Sequence, residues 1–378
     1  MKISILLPYK ENFTHEAAGA VSLFVHQIWN VSKYKKKITI FGNTNYKKYL
    51  NKNYKNIKFE KNIFRSSSKN YVDNFLKDTE VINSDIIEVH NRPNYIKFIK
   101  KNFTKKVSLY FHNDPLSMDG SRSIQDRMYL LNNIDKLIFN SIWSKKRFFL
   151  DLNINTSTLK DVNVCYQSAD KVKINFKKKE NIITFIGKLN RAKGYDIFGD
   201  AIIDILDKYK NWKAIVIGDE EREKIIFKHP RLRVIGFKNN IFILDLLKKT
   251  SISVVCSRWQ EPFGRASLEA ASRGSAVIIS NTGGLPETTK SGIILKSLDK
   301  NELVTSIEKL ITNKKDLLKT QKDNYKNFKF THNYISDLID NIREKTLLKT
   351  FNIKKPLILK ILHVTNFNYR FDGRLHYN

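Results

Sequence analysis

The sequence predicts an α/β protein in which two Rossmann-like domains, each built on a parallel sheet, face a central cleft. Short β-branched runs alternate with amphipathic helical segments, which is the pattern of parallel βαβ units. The alternation occurs twice, on either side of a charged segment without apolar periodicity, residues 171–181. The length of 378 residues suffices for two domains with a core each.

These patterns assign residues 1–170 to the first domain and residues 171–330 to the second. In the first domain they predict a helix over residues 19–34 and strands over residues 2–8, 36–42, 84–90, 105–112, 135–141 and 162–168. In the second domain they predict helices over residues 194–209, 265–272 and 300–311, and strands over residues 182–189, 212–219, 232–237, 251–257 and 275–280.

Two further segments follow the second domain. Residues 331–347 form an amphipathic helical pattern, and the tail, residues 351–378, starts with another apolar run. The tail is the truncated start of a further α/β unit, an extra edge strand, or an end without fixed structure.

The composition favours an anionic partner. The chain has 68 Lys and Arg against 37 Asp and Glu, a formal net charge of +31. Such a charge attracts nucleic acid, acidic lipid surfaces or phosphorylated small molecules, and a general lysine bias on all solvated faces explains it equally well. Cys165 and Cys256 are far apart, which excludes a disulfide scaffold and suits a reducing compartment. No apolar run approaches the roughly 18 residues of a membrane-spanning helix, so we expect membrane contact to be peripheral.

The segment EPFGRASLEAASRGSAVIISNTGGLPE, residues 261–287, combines several features of an anion site. Pro262 is expected at the first helical position, where its missing N–H costs nothing. The backbone N–H groups of Phe263, Gly264 and Arg265 are then free donors at the positive end of a helix. Gly264 also lets a ligand approach the backbone closely.

Glu261 and Glu269 are separated by seven residues. Taken singly, Glu269 is an ion-pair partner for Arg265 or Arg273, and Glu261 is an exposed acid near a helix start. The two do not suit a glycosidase, because eight helical positions advance about 12 Å, whereas hydrolytic carboxylates lie roughly 5–9.5 Å apart. Their spacing suits the two ends of one elongated ligand.

A second cationic cluster lies in FIGKLNRAKGYD, residues 185–196. A strand ends at Gly187, and Lys188, Arg191 and Lys193 precede the next helix. Cations at the end of a strand and beside a helix N-terminus would neutralise a diphosphate. Solvated lysines in a lysine-rich chain are the alternative interpretation.

Together these motifs resemble the family 4 retaining glycosyltransferases, which have the two-domain GT-B architecture. The family pattern is a Gly-Arg-x-x-x-x-Lys-Gly loop, then Glu-x7-Glu, Gly-x-Pro-Val and Gly-Gly-x-x-Glu. Here these read GKLNRAKG, EPFGRASLE, GSAV and GGLPE. The resemblance covers about residues 1–350 and is closest over residues 182–290. It implies a nucleotide-diphospho-sugar donor and a helix, residues 331–350, that crosses back to the first domain.

The resemblance also implies which residues bind the donor. Lys193 would contact the diphosphate, beside Gly187 and Lys188. Lys188 stands where the family usually has arginine, and it keeps the charge without the bidentate fork.

The Glu-x7-Glu element carries the remaining donor contacts that the resemblance implies. Glu261 would lie near the donor sugar hydroxyls as a catalytic candidate, with the backbone N–H groups of Phe263 and Gly264 beside it. Glu269 would bind the ribose hydroxyls, and Glu287 would close the pattern as a structural member.

In the first domain the resemblance points to two positions. Gly19 lies in the loop before the first helix, where the family often has paired glycines, and it is a donor-binding candidate. His112 matches a family histidine near the reacting sugar and is the second catalytic candidate. His90 follows another strand in a similar place, although histidines at strand ends are more often structural.

We expect neither a metal nor a cofactor besides the donor. The chain has no Asp-x-Asp sequence, the usual carboxylate anchor for the Mg²⁺ of a sugar nucleotide. Lys188, Lys193 and a helix N-terminus would supply the positive charge instead.

The expected function is transfer of a sugar, with retention of anomeric configuration, to a glycan or lipid-linked acceptor in cell-envelope polysaccharide or lipopolysaccharide synthesis. We expect the protein in the cytoplasm, peripherally on an anionic membrane surface. A soluble-acceptor transferase of the sucrose or trehalose kind is the enzymatic alternative. A basic nucleic-acid-binding protein is the alternative of another class, suggested by interleaved Lys, Tyr and Phe in residues 45–64, which lack a stacking-platform motif.

Overall fold

Alternating strands and helices return the chain to the same end of a sheet at each crossover, so all strands run parallel. The computed structural model describes residues 1–58, 66–154 and 161–348. Over these residues it contains a seven-stranded and a six-stranded sheet, both parallel. The predicted fold class is thereby confirmed. The predicted tail, residues 351–378, and the last two residues of the helix predicted over 331–350 lie outside the described residues.

The first sheet belongs to the N-terminal domain and has the strand order β3-β2-β1-β4-β5-β6-β7. Its strands are β1 Ile3–Leu6, β2 Ile38–Gly42, β3 Tyr54–Asn56, β4 Ile86–His90, β5 Lys106–Phe111, β6 Lys136–Phe139 and β7 Val162–Val164. Its helices are α1 Ala20–Val31, α2 Ser67–Leu76, α3 Thr79–Ile82, α4 Tyr95–Asn102, α5 Ile124–Asn133 and α6 Ile142–Phe149.

The second sheet has the order β10-β9-β8-β11-β12-β13. Its strands are β8 Glu180–Ile186, β9 Lys213–Ile217, β10 Leu232–Val234, β11 Thr250–Val255, β12 Ala276–Ile279 and β13 Ile293–Ile294. Its helices are α7 Tyr195–Lys208, α8 Asn240–Lys249, α9 Arg265–Ser272, α10 Lys300–Thr312 and α11 Lys314–Asn327.

Both sheets reverse their strand order in the middle. The reversal lies between β1 and β4 in the first sheet and between β8 and β11 in the second. In open α/β sheets ligands bind in the crevice outside the carboxyl ends of the strands at such a switch point. The fold therefore indicates one crevice in each domain.

The last helix, α12 His332–Leu348, packs on the first domain. Its Arg343 guanidinium donates two hydrogen bonds of 2.7 Å to the carboxylate of Glu88 in β4, and one of 2.7 Å to Asp340. Asp340 accepts a further hydrogen bond from the hydroxyl of Ser32, the residue that follows the last residue of α1. An apolar cluster joins the two domains. It includes Phe24 of α1, Ile335 of α12 and Phe263 of the second domain.

Some elements differ from the sequence expectation. β8 begins at Glu180, within the predicted linker, because Glu180 pairs with Thr250 at the start of β11. The strand predicted over residues 232–237 ends at Val234, two residues before Gly236, which has a φ of +68°. β3, β13 and the helices α2–α6, α8 and α11 were not among the predicted segments. Ile241 of α8 is 70% exposed, which weakens the apolar periodicity of that helix.

Candidate active site

The loops that follow β8 and β11 meet at the switch point of the second sheet. Residues 187–194 form the first loop and residues 256–264 the second. The backbone N–H groups of Arg258 and Trp259 both donate to the carbonyl oxygen of Ala192, at 2.9 Å each. These bonds hold the two loops together as one unit.

Glycines allow the loops to pass this closely. Gly194 ends the first loop with a φ of +74°, and a Cβ there would lie 1.9 Å from the carbonyl oxygen of Cys256. Gly218, after β9, has a similar role, since its Cβ would lie 1.8 Å from the carbonyl oxygen of Gly187. Sequence analysis did not single out Gly218, although a glycine directly after an apolar strand on the same sheet edge was a usable signal.

Lys193 and Glu261 lie at the centre of the two-loop unit. The Lys193 ammonium forms an ion pair with the Glu261 carboxylate and lies 4.4 Å from the centre of the Trp259 ring. The two charged side chains are 23% and 11% exposed, and each offsets part of the cost of burying the other. Lys188 is exposed and has no ion pair within the described part of the chain. The structure therefore brings Lys193, and not Lys188, to Glu261.

Helix α9 begins at Arg265, so the prediction that Pro262 occupies the first helical position is wrong. The cause is Gly264, which caps the helix with a φ of +118° and whose Cβ would lie 2.4 Å from Cδ2 of Leu285. Among the described residues, no acceptor binds the backbone N–H groups of Phe263, Gly264 and Arg265. The Phe263 ring is buried in the core, so this residue offers only its backbone to a ligand.

These parts enclose a cavity of about 220 Å³. Its lining includes the charged side chains of Lys193, Glu261 and Arg265. Gly187 and Gly264 also line it, without side chains that would fill the space. The cavity thus combines positive charge, one carboxylate and free N–H donors.

A larger cleft of about 460 Å³ lies between the domains. The second domain contributes Glu269 and Arg265 to its lining, and the first domain contributes His15 and Leu23. Glu269 is buried, forms a 2.7 Å ion pair with Arg265 and accepts a 2.8 Å hydrogen bond from the Asn240 amide. The interpretation of Glu269 as an ion-pair partner of Arg265 is therefore correct, and the carboxylate also lines a cleft.

The two cavities adjoin each other. Ile186, Arg265 and Ala266 line both of them. Glu261 lines the smaller cavity and Glu269 the larger one. This arrangement suits an elongated ligand with one end in each cavity.

The double-glycine turn after β12 supports Glu261. Gly283 has a φ of +59°, and its Cβ would lie 2.2 Å from the carbonyl oxygen of Glu261. The N–H of Gly284 donates to that oxygen at 2.6 Å. Farther along, the Glu287 carboxylate accepts hydrogen bonds from the N–H groups of Ile142 (2.7 Å) and Trp143 (2.8 Å), at the start of α6 in the first domain.

His112 lies apart from these cavities. It is 5% exposed, and its ring stacks on Tyr110 with 4.5 Å between the centres. Its Nε2 lies 3.0 Å from Nδ1 of His90. Burial lowers the pKa of both imidazoles, that of His90 to about 3. Neither ring lines the cavities that contain Glu261 and Glu269.

Gly19 caps α1 and makes room for a carboxylate. A Cβ on Gly19 would lie 2.3 Å from Oε1 of Glu11, and that oxygen accepts a 3.2 Å hydrogen bond from the N–H of Ser22. Burial raises the pKa of Glu11. The protein's own carboxylate therefore occupies the N-terminus of α1, and Gly19 does not line either cavity next to Glu261.

The chain is similar to a protein family, to two other proteins and to a solved structure. Residues 167–328 match the family model of glycosyl transferases group 1. Spore coat protein SA of Bacillus subtilis is 24% identical over 265 residues, 60% of this chain and 70% of that protein. The uncharacterized glycosyltransferase MJ1607 of Methanocaldococcus jannaschii is 29% identical over 150 residues, 34% of this chain and 35% of that protein. The crystal structure of HepE of Anabaena with UDP and glucose is similar with a TM-score of 0.70 and 16% identity, covering 91% of this chain and 99% of that chain.

The match to the model of glycosyl transferases group 1 falls on the second domain and covers less than half of the chain. Together with the two parallel sheets, it supports the glycosyltransferase superfamily with the GT-B fold. The assignment to family 4 and the meaning of the Glu-x7-Glu spacing stay predictions.

Two residues at the switch points were not predicted from the sequence. Trp259 is 46% exposed beside Lys193. Asn91 adopts a left-handed conformation, φ +56°, at the switch point of the first sheet, and its amide oxygen accepts 3.1 Å bonds from the N–H groups of His112 and Asn113. Asparagine adopts this conformation more readily than most non-glycine residues, and no sequence pattern marks the position.

The described residues contain neither a candidate metal cluster nor a candidate membrane-spanning helix. Within residues 1–58, 66–154 and 161–348, no group of three or more His, Cys, Asp or Glu side chains is placed to hold a metal ion. Over the same residues no helix has both the length and the apolar character for crossing a membrane. Metal independence stays a prediction.

Proposed function

We propose that the protein transfers a sugar from a nucleotide-diphospho-sugar to a glycan or lipid-linked acceptor with retention of anomeric configuration. The observation that carries the proposal is the pair of adjoining cavities at the switch point of the second sheet, with Glu261 in one and Glu269 in the other. A nucleotide sugar is an elongated molecule in which the hydroxyl groups of the ribose and of the donor sugar lie on either side of a negatively charged diphosphate. The site offers complementary groups in that order.

The diphosphate would lie against Lys193 and the start of α9. Lys193 brings a mostly buried cation, and Phe263, Gly264 and Arg265 bring N–H groups without acceptors in the described structure. Charge-assisted hydrogen bonds from such donors are strong because the site excludes part of the water. On donor binding, we expect the Lys193 ammonium to exchange its bond with Glu261 for one with phosphate.

That exchange would free the Glu261 carboxylate for the donor sugar. Carboxylates accept hydrogen bonds from sugar hydroxyls, and Glu261 lies on the same wall as the proposed phosphate site. At the other end, Glu269 would accept from the ribose hydroxyls in the larger cleft, while Arg265 and Asn240 keep its orientation fixed.

Retention follows from attack on the face that the diphosphate leaves. In the step we propose, the C1–O bond to the diphosphate breaks, a C1–O bond to the acceptor forms, and the acceptor proton moves to the leaving phosphate oxygen. Lys193 and the α9 N–H groups stabilise the charge that develops on the diphosphate. Domain closure positions the acceptor and excludes water. A catalytic role for His112 stays a prediction, and because burial lowers its pKa, its imidazole would take such a role in the neutral form.

Titration with donor candidates tests the donor site. We would measure the melting temperature and the dissociation constants of UDP-, GDP- and ADP-sugars, starting with UDP-glucose because the similar structure of HepE contains UDP and glucose. Glu261→Ala and Lys193→Ala should weaken binding, and the exposed Lys188→Ala should change it least. If no nucleotide sugar binds the wild-type protein, the proposal is wrong.

The anomeric outcome and the acceptor need a second experiment. With the donor that binds, NMR of the product would determine the configuration at C1, and inversion would exclude retention. An acceptor panel of lipid-linked glycans, free glycans, fructose 6-phosphate and glucose 6-phosphate would separate cell-envelope polysaccharide synthesis from a soluble-acceptor transferase of the sucrose or trehalose kind. Binding of random RNA with a steep salt dependence, without any nucleotide-sugar binding, would favour the nucleic-acid alternative.

A further inference from the structure

Glu287 of the second domain caps a helix of the first domain. Its two carboxylate oxygens accept from the N–H groups of Ile142 and Trp143, at 2.7 and 2.8 Å, which are the first two residues of α6. The next N–H, of Ser144, is bound by the side chain of Ser141 in the same helix cap. A helix start has N–H groups that its own backbone does not satisfy, and here a carboxylate from the other domain satisfies two of them.

The same turn holds the main chain of Glu261. Gly284 donates its N–H to the Glu261 carbonyl at 2.6 Å, and a Cβ on Gly284 would lie 2.5 Å from the Pro262 carbonyl oxygen and 3.1 Å from Cβ of Ser141. Ser144 also reaches across, since its hydroxyl lies 3.4 Å from the Pro262 carbonyl oxygen. The start of α6 is thus seated against the loop that presents Glu261.

We propose that Glu287 is a positioning residue that couples contact between the domains to the placement of Glu261. With α6 seated on Glu287, the double-glycine turn is fixed between the first domain and the Glu261 main chain. When the domains separate, water replaces the carboxylate at α6, and the turn loses its support from the first domain. The role in catalysis rests on the proposed transfer function, whereas the contact between the domains does not.

A substitution at the start of α6 can weaken the same contact from the first domain. Proline is favoured at the first position of a helix, and Ser141 before it is extended, with φ −160° and ψ 161°, as a residue before proline must be. Ile142→Pro therefore removes one N–H donor to Glu287 while it preserves the helix. Ile142 is 46% exposed, so the side-chain change itself costs little.

Small-angle X-ray scattering of the full chain without ligand tests the contact. We expect Glu287→Ala and Ile142→Pro each to increase the radius of gyration. The double variant should add less than the sum of the two, since both changes remove the bond between Ile142 and Glu287. Glu308→Ala, which removes a 2.7 Å ion pair with Lys208 inside the second domain, is the control and should leave the radius unchanged. Wild-type radii for both test variants would overturn the proposal whether or not the protein is a transferase.

Kinetics test the positioning role. We expect Glu287→Ala to lower kcat at least tenfold while the dissociation constant of the nucleoside diphosphate stays within twofold of the wild-type value. A purely structural role would weaken binding and kcat together, and an unchanged kcat would also contradict the proposal. Partial rescue of kcat by Glu287→Asp relative to Glu287→Ala would support the need for a carboxylate.

Discussion

At the scale of single residues, the site is organised by the ion pair of Lys193 and Glu261. Both side chains are mostly buried, and each would be a charge without a partner if the other were absent. The sequence predicted both residues through the spacing of two motifs. It could not predict that they pair with each other, because they lie in different loops and their contact depends on the glycines that bring the loops together.

Lys193→Met should weaken binding of the nucleoside diphosphate about 10- to 100-fold, because it removes a charge-assisted hydrogen bond worth roughly 1.5–3 kcal/mol. It should also lower the melting temperature, since Glu261 is left as a mostly buried carboxylate without its cation. Isothermal titration calorimetry and thermal unfolding measure the two effects.

Two variants complete the test of Lys193. In Lys193→Met with Glu261→Gln, the melting temperature should recover, whereas binding should stay weak. Lys188→Met is the matched control, because Lys188 is exposed on the same loop. If Lys188→Met weakened binding as much as Lys193→Met, the assignment of the diphosphate to Lys193 would be wrong.

The buried histidine pair predicts how stability depends on pH. Burial lowers the pKa of His90 to about 3, and it lowers that of His112 as well. In the unfolded chain such groups take up protons below a pH of about 6.5, which the native state does not. The stability is therefore full above this pH and falls as the pH drops. His90→Gln should reduce the slope of the free energy of unfolding between pH 6 and 4.5 by about one proton, or about 1.4 kcal/mol per pH unit.

Urea denaturation at several pH values measures that slope. His15→Gln, which removes an exposed imidazole, is the control for the substitution itself. An unchanged slope in His90→Gln would mean that this imidazole ionises in the folded protein as readily as in the unfolded chain.

At the scale of secondary structure, strands with strong β-branched runs were predictable and their ends were not. The run over residues 182–189 predicted β8, but β8 starts earlier, where Glu180 gains a pairing partner in β11. Pro262 suggested an earlier start of α9 than the structure has, because local propensity does not include the positive φ of Gly264 or its close approach to Leu285, which leaves no room for a Cβ. Contacts between distant segments decide these boundaries.

Lys179, just before β8, ties two helix ends together. Its ammonium donates to the carbonyl oxygens of Leu247 (3.0 Å), Thr250 (2.8 Å) and Arg273 (2.8 Å), at the ends of α8 and α9. Lys179→Met should lower the free energy of unfolding by about 3 kcal/mol, because it removes three hydrogen bonds from a charged donor. The exposed neighbour Lys178→Met is the control for urea denaturation and should change stability by less than about 0.5 kcal/mol. Equal effects of both variants would contradict the importance of these three bonds.

At the scale of the whole molecule, the sequence predicted two domains with parallel sheets, but it did not predict which residues form the contact between the domains. Two repeats of the βα pattern were sufficient for the fold class. The contacts of Glu287 with α6 depend on the relative orientation of the domains, which leaves no periodic trace in the sequence. The net charge of +31 was also uninformative about the site, which uses few of the basic residues.

The return of α12 to the first domain depends on a buried charge network. Glu88, Asp340 and Arg343 are 6%, 1% and 3% exposed, so the two carboxylates rely on one guanidinium for compensation. Arg343→Met should lower the free energy of unfolding by about 3–5 kcal/mol, because it leaves buried charges unpaired. The triple variant with Glu88→Gln and Asp340→Asn should recover much of that loss, since it removes the charges as well as their partner. Lys208→Met, at the exposed end of a surface pair, should change the free energy of unfolding much less in the same urea titration. A loss for Arg343→Met no greater than that of Lys208→Met would mean that apolar packing, and not the charge network, holds α12 on the first domain.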